Sequence, residues 1–234
     1  MKQRKTLIVL VVLAVVLVVG YFAWPAAFTV VPIAQVEQQK ISEAFDPVKY
    51  VDGIWASKIL PIVNSKAVNL ADILTAMKPD ANGTAAKAGL IEVAKKYGLI
   101  TVGEAHVYLV KGEGKVISVD DKTSLGVMQI QPVGYDGPIQ VKVYLGPRIP
   151  SDETSVRDGV GFITFGDFKE QTEYGKVGAE INNRVLAGLS SLDKESLVGK
   201  TIAFTGAMTI RTFNLVNIDL KKVTIVPVKV EVKG

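Results

Sequence analysis

The side chains with the most chemical potential lie in the second half of the chain. Arg157 and Asp158 are adjacent, beside Gly159 and Gly161 and just before the apolar pair Phe162-Ile163. A planar arginine fork can grip a carboxylate or a sugar hydroxyl. The same pair can equally serve as an internal ion pair that fixes its own loop. Gln171, Glu173 and Asn182 follow on a stretch predicted to be helical. Gln171 and Asn182 are eleven positions apart, about three helical turns, so they share one face. That face either lines a groove or tethers neighbouring loops. These five residues are the candidate ligand-binding set.

Covalent and metal chemistry find less support. The 234 residues include one histidine, His106, and no cysteine. There is therefore no disulfide framework, no thiolate metal site and no cysteine nucleophile. Any Ser-His-Asp scheme or histidine cluster would have to pass through His106. It opens a strand near Glu104 and is expected to be a surface or loop-bonded histidine. Gly-x-Ser-x-Gly does not occur, and no glycine-rich phosphate loop follows a strand. Carboxylates are abundant, but spacing places no pair for acid–base work. No catalytic residue, cofactor or metal is predicted. Trp55 followed by Lys58 is similar to an aromatic carbohydrate platform, although an aromatic at helical spacing also suits a core.

The elements that must position these residues begin with a membrane segment. Lys2, Arg4 and Lys5 supply three of the four net positive charges, leaving +1 for the rest. A remainder that neutral lacks a basic stripe for nucleic acid, so no nucleic-acid partner is expected. From Leu7 to Trp24 there are 18 residues without a charge, roughly 27 Å of helix and close to a bilayer core. Tyr21 and Trp24 lie where an aromatic belt belongs, and the basic tip predicts a cytoplasmic N-terminus. An uncleaved signal anchor is the expectation. Cleavage as a signal peptide is the alternative, with only a poor small-x-small pattern around Ala23 and Pro25.

The exported part divides into a helical half and a β half. Residues 1–36 form the basic tip, anchor and linker, 37–98 a helical subdomain, and 99–234 a β subdomain, with 37–234 expected to be one compact exported domain. Asp46-Pro47 marks a helix start and Pro61 a break or kink. Asn69 caps a short helix, and Thr84 to Tyr97 is a third helix stopped by Gly98. Period two then takes over. Strands are predicted at 107–119, with a bulge near Gly112 and Gly114, then at 125–131, 139–145, 201–210 and 223–232. A loop covers 146–158 and a helix 167–189, with Tyr174, Val177, Ile181, Val185 and Leu189 as its apolar stripe. Phe162, Phe165 and Phe168 are expected to be partly buried where the loop enters this helix. The order strand-strand-strand-helix-strand-strand is that of an OB-fold. The fold class is therefore α+β: a transmembrane helix, a helical layer, then a five-stranded OB-like barrel with a helix between strands three and four.

Several segments together resemble a known family. Phe45-Asp-Pro-Val-Lys-Tyr-Val-Asp-Gly-Ile-Trp-Ala-Ser-Lys-Ile-Leu-Pro61 is similar to the N-terminal signature of the predicted periplasmic lipoproteins of domain of unknown function 2291. The resemblance continues through Gly112-Glu-Gly-Lys-Val116, Gly146-Pro147, Val156-Arg157-Asp158, Phe162-Ile-Thr-Phe-Gly-Asp-Phe168, Gln171-Thr-Glu-Tyr174 and Asn182. It implies an exported protein without an established activity, of a kind suspected to accompany sugar ABC transport. The sequence departs from the pattern in lacking the lipidated cysteine, in Leu125 where a basic residue is common, and in Glu170 where an asparagine usually precedes the glutamine. A transmembrane anchor would stand in for the lipid. The function expected is a non-catalytic binding or accessory module, held to the membrane by the N-terminal helix, with sugar ABC transporter components as candidate partners. The alternative is an exported glycan hydrolase using carboxylates such as Asp158 and Glu173, with OB-type nucleic-acid binding third. Oligomeric state is not set by these patterns.

Overall fold

In the computed structural model the described residues are 45–233, together with Arg4, 10–15, 17–19 and Tyr21. The chain splits into two units, Met1–Phe45 and Asp46–Gly234. In the first, the described residues up to Tyr21 are helical and expose apolar side chains such as Leu10, Leu13 and Leu17. Among the described residues no helix is long and apolar enough to cross a membrane. The expected anchor over 7–24 lies partly outside them.

The second unit is organised by strand β4, Ala105–Asp120. Its first part pairs antiparallel with β7 (Thr201–Arg211), from Ala105↔Arg211 to Lys115↔Thr201. Its last part pairs antiparallel with β5 (Val127–Pro132). β5 pairs with β6 (Gln140–Tyr144), β6 runs parallel to β9 (Lys222–Val232), and β9 returns antiparallel to β7. The pairings therefore close into a ring of five strands. Period two explains its interior: Tyr108, Val110 and Val116 on β4, Met128 and Ile130 on β5, Val141 and Val143 on β6, and Phe204, Met208 and Ile225 on the closing strands are all buried in one apolar cluster.

Glycines let one long strand serve two partners. A Cβ on Gly114 would lie 3.0 Å from Ile130 Cδ1 and 3.1 Å from the Gln131 carbonyl. The register shift, however, falls between Val116 and Ser118 rather than at the glycines. A second shift separates Thr205 and Gly206, where a Cβ on Gly206 would meet the Val226 carbonyl at 2.3 Å. Pro227, which has no N–H to offer a ladder, sits opposite that bulge.

The helical layer follows local chemistry closely. The Asp46 carboxylate accepts from the Val48 and Lys49 amides at 2.9 and 3.1 Å, and Pro47 opens α1 (Pro47–Ile54). Pro61 does not end the helical run. A π-turn over Trp55–Ile59 widens the backbone, with the Leu60 amide donating to the Trp55 carbonyl, and α2 (Leu60–Lys66) then starts with the proline in its first turn. Asn69 caps α3 (Leu70–Ala76) through the Ala71 amide at 2.9 Å. The helix expected from Thr84 begins only at Lys87, as α4 (Lys87–Tyr97). Thr84–Ala86 forms instead a short strand, β2, paired with β8 (Asn217–Asp219) over 130 residues away. Nothing local encodes that pairing. Short strands β1 (Val68–Asn69) and β3 (Leu99–Ile100) flank β4.

Three further expectations need correction. The loop over 146–158 contains a helical turn, α5 (Ser155–Gly159), with Ser155, Val156, Arg157 and Gly159 buried. The long helix, α6 (Gln171–Leu189), begins four residues later than expected. Before it, Phe165–Asp167 forms a 3-10 turn in which Asp167 accepts from the Thr164 amide and hydroxyl at 2.7 and 2.9 Å. Those two bonds also hold the Asp167 carboxyl below its ordinary range. His106, expected at the surface, is 1% exposed and its Nδ1 has no hydrogen-bond partner. Burial, with Lys87 nearby, pushes its pKa down against the opposing pull of Glu104. Pairing with both β3 and β7 encloses it, and its apolar neighbours in the strand gave no hint of that.

Candidate functional site

Arg157 and Asp158 face the first half of α6 and form a closed polar latch. Arg157 Nε donates to Asp158 Oδ1 at 2.9 Å, and Nη2 lies 2.8 Å from the same oxygen. The Tyr174 hydroxyl donates to Oδ1 as well, at 3.1 Å, and Thr154 Oγ1 donates to Oδ2 at 2.7 Å. Arg157 Nη1 donates to the Tyr174 carbonyl at 3.2 Å, and the guanidinium carbon lies 3.6 Å from the Tyr174 ring centroid. Arg157 is 8% exposed. A buried charge of that kind is tolerated only when its partners replace water, and here the carboxylate, the carbonyl and the ring do so. Burial, and then Asp158, push the Tyr174 hydroxyl up.

Asn182 belongs to the same latch, one step further along α6. Its Nδ2 donates to the Glu153 carbonyl at 2.8 Å. The Glu153 carboxylate turns back to accept from the Ser155 amide at 3.1 Å and from the Ser155 hydroxyl. Burial pushes the Glu153 carboxyl up, against the pull of those two bonds. Burial, then Glu153 and Asp152, push the neighbouring Tyr144 up to about 12.

Arg157, Asp158 and Asn182 are thus brought together, and Gln171 and Glu173 are not. Gln171 is exposed in the first turn of α6. Glu173 Oε2 accepts from the Lys169 amide at 2.9 Å and so secures the helix entry. The shared helix face is real in angle but not in depth: Asn182 is buried and Gln171 is in solvent. Sequence reasoning missed Thr154, Glu153 and the hydroxyl of Tyr174. One signal was available in Gly178. A glycine on the buried side of a helix costs about 1 kcal/mol of propensity, and a Cβ there would lie 3.2 Å from Arg157 Nη1. The glycine makes room for the guanidinium.

The latch supports an aromatic surface. Phe168 lies between Tyr50 and Tyr174, with ring centroids 5.4 and 5.7 Å away. Phe165 meets Tyr174 edge-on at 6.0 Å, in the range where aromatic pairs attract. Phe165 is 57% exposed, contrary to the expected burial, because the Thr164–Asp167 turn carries it on its outer side. Phe162 and Phe168 are half-buried, as is Trp55. Lys58 holds its ammonium 5.6 Å from the Phe162 centroid. On the opposite flank, Arg184 joins α6 to α1 by pairing with Asp52 and, at 3.1 Å, with Glu180. Among the described residues no group of three or more acidic or histidine side chains stands together as a metal site.

Comparison with known proteins agrees with this architecture. The family model described as predicted periplasmic lipoprotein, DUF2291, matches residues 14–231. The chain belongs to the DUF2291 family. That description makes its members exported, envelope-associated proteins. No cysteine is present among the 234 residues to carry a lipid. No curated protein matches in sequence. A solved structure from Thermotoga maritima, titled an OB-fold protein, is similar with a TM-score of 0.60 at 16% identity. The match covers 82% of this chain and 100% of that one, and it shows a shared fold.

Proposed function

We propose that this DUF2291 protein is a membrane-tethered, exported, non-catalytic binding or accessory module. The closed strand ring is taken as an OB-type barrel. The anchor is the apolar run from Leu7 to Trp24, which replaces the missing lipid. The aromatic surface over Tyr50, Phe165, Phe168 and Tyr174 is the contact face, and Arg157 and Asp158 position it. The observation that carries this reading is the occupancy of the Asp158 carboxylate. Oδ1 is held by Arg157 and Tyr174, and Oδ2 by Thr154. A glycosidase acid or nucleophile needs an oxygen turned toward substrate and a second carboxyl across a cleft. Both Asp158 oxygens are turned inward, and Glu173 is engaged with Lys169. The exposed Phe165 ring, with the Lys58 ammonium over nearby half-buried Phe162, suits sugar rings or an apolar protein face. The family resemblance makes sugar ABC transporter subunits the first partners to look for.

Three experiments test this. Protease added to intact spheroplasts should remove the domain, and a fully protected domain would contradict export. Crosslinking in native membranes with mass spectrometry should recover transporter subunits. Glycan cleavage by the intact protein, abolished in Asp158→Asn or Glu173→Gln, would replace this reading with the hydrolase.

A further inference from the structure

A second surface gathers apolar side chains at two loop tips. The β3–β4 turn over 101–104 exposes Val102 completely, and Ile100 precedes it. The loop after β7 exposes Phe213, Leu215 and Val216. The two loops are fastened together. The Thr212 hydroxyl donates to the Glu104 carbonyl, the Lys87 amide donates to the Val216 carbonyl at 2.8 Å, and Lys87 Nζ pairs with Glu104 at 2.5 Å. Glu104 and Asn214 both adopt positive φ, 59° and 56°, which fixes the tips as tight turns. Five large apolar side chains are therefore held in water by a rigid frame, a recognised mark of an interaction site.

We infer that these tips, Ile100 and Val102 with Phe213, Leu215 and Val216, insert into the surface of a lipid bilayer. This rests on the proposed anchor. With Leu7 to Trp24 in the membrane, residues 25–45 span at most about 75 Å even when fully extended, so the domain is confined near the bilayer. The tips themselves are uncharged: residues 99–103 and 212–216 include no acidic or basic side chain. Lys87 is paired with Glu104 and Arg211 with Asp152. These flanking charges are thus paired, and no charged side chain at the tips has to be desolvated as they near the acyl boundary. Protruding tips also suit shallow insertion better than they suit a flat protein interface.

The absence of native cysteine allows unique labelling. Full-length Val102→Cys, Phe213→Cys and Val216→Cys variants would each carry an environment-sensitive fluorophore and be reconstituted into phosphatidylcholine–phosphatidylglycerol vesicles. Asp121→Cys, just past the opposite end of β4, is the control. The inference predicts blue-shifted emission at 102, 213 and 216 that is lost when spin-labelled lipids are included, with water-like emission at 121. Water-like emission at all positions overturns it. So does a blue shift that spin-labelled lipids do not quench, since that reports burial against a second copy or another protein. Alkaline carbonate washing reads the anchor separately. A retained chain with water-like tips refutes the insertion alone, and a chain that washes off yet shows lipid quenching at the tips refutes the anchor alone.

Discussion

The inside of the strand ring and the Arg157 latch hold the molecule by opposite means. The ring buries Tyr108, Val143, Met208 and Ile225 at alternate positions of paired strands, and its stabilisation scales with apolar area removed from water. The latch buries a charge and a carboxamide, and each polar atom must find a partner at a fixed distance. Partners in the ring are interchangeable in kind, whereas those in the latch are not. Guanidinium, carboxylate, phenol and a helical glycine have to coincide.

The largest effect should come from the ring. Ile225→Ala removes a fully buried side chain and should cost about 2–5 kcal/mol in urea unfolding. Arg157→Ala should follow at about 3 kcal/mol, the low end for a broken buried pair, since Asp158 keeps some contact with water. Arg157→Lys should recover little of that loss, because lysine has neither the fork nor the planar face that stacks on Tyr174. Replacing Arg157 and Asp158 together with leucine should recover most of it. If the double variant unfolds as easily as Arg157→Ala, the latch is not the desolvated ion pair described.

Glu153 makes the stability of the latch depend on pH. Burial raises its folded pKa above the ordinary carboxylate value. Below that ordinary value the group is protonated in both states and carries no ionisation cost. As pH rises through the folded pKa the buried carboxyl must ionise, and stability from this group falls. Glu153→Gln should therefore gain melting temperature relative to the parent between pH 4 and pH 7. A difference that does not change with pH would show the carboxyl to be effectively in water. The smallest effect belongs to Phe165→Ala, which should stay within about 0.5 kcal/mol because the ring is mostly exposed.

The same contrast explains what the sequence disclosed. Alternation over 139–145 and 201–210 located strands whose interior faces are Val141, Val143, Ile202 and Phe204, and the strand order pointed to the OB topology. Capping chemistry at Asp46 and Asn69 was legible because it acts within four residues. The latch was legible only in its members. Arg157, Asp158 and Asn182 stood out by type, but their partners lie as far as 29 residues away, and no spacing rule links Asn182 to the Glu153 carbonyl. Gln171 seemed equivalent to Asn182 because helical angle says nothing about how deep each end of a helix sits. Helix α5 was hidden because five residues between polar loops show no period.

The account turns on Phe165 lying on a contact face that Arg157 and Asp158 only position. The most direct measurement places a photo-crosslinking amino acid at position 165 of the full-length protein in native membranes, with position 121 as the comparison. The adducts are identified by mass spectrometry. The account predicts transporter subunits joined at 165 and not at 121, with the adduct lost in Arg157→Ala and kept in the Arg157–Asp158 double leucine variant. Identical adducts at both positions, or a covalent glycan on Asp158 or Glu173, would contradict it.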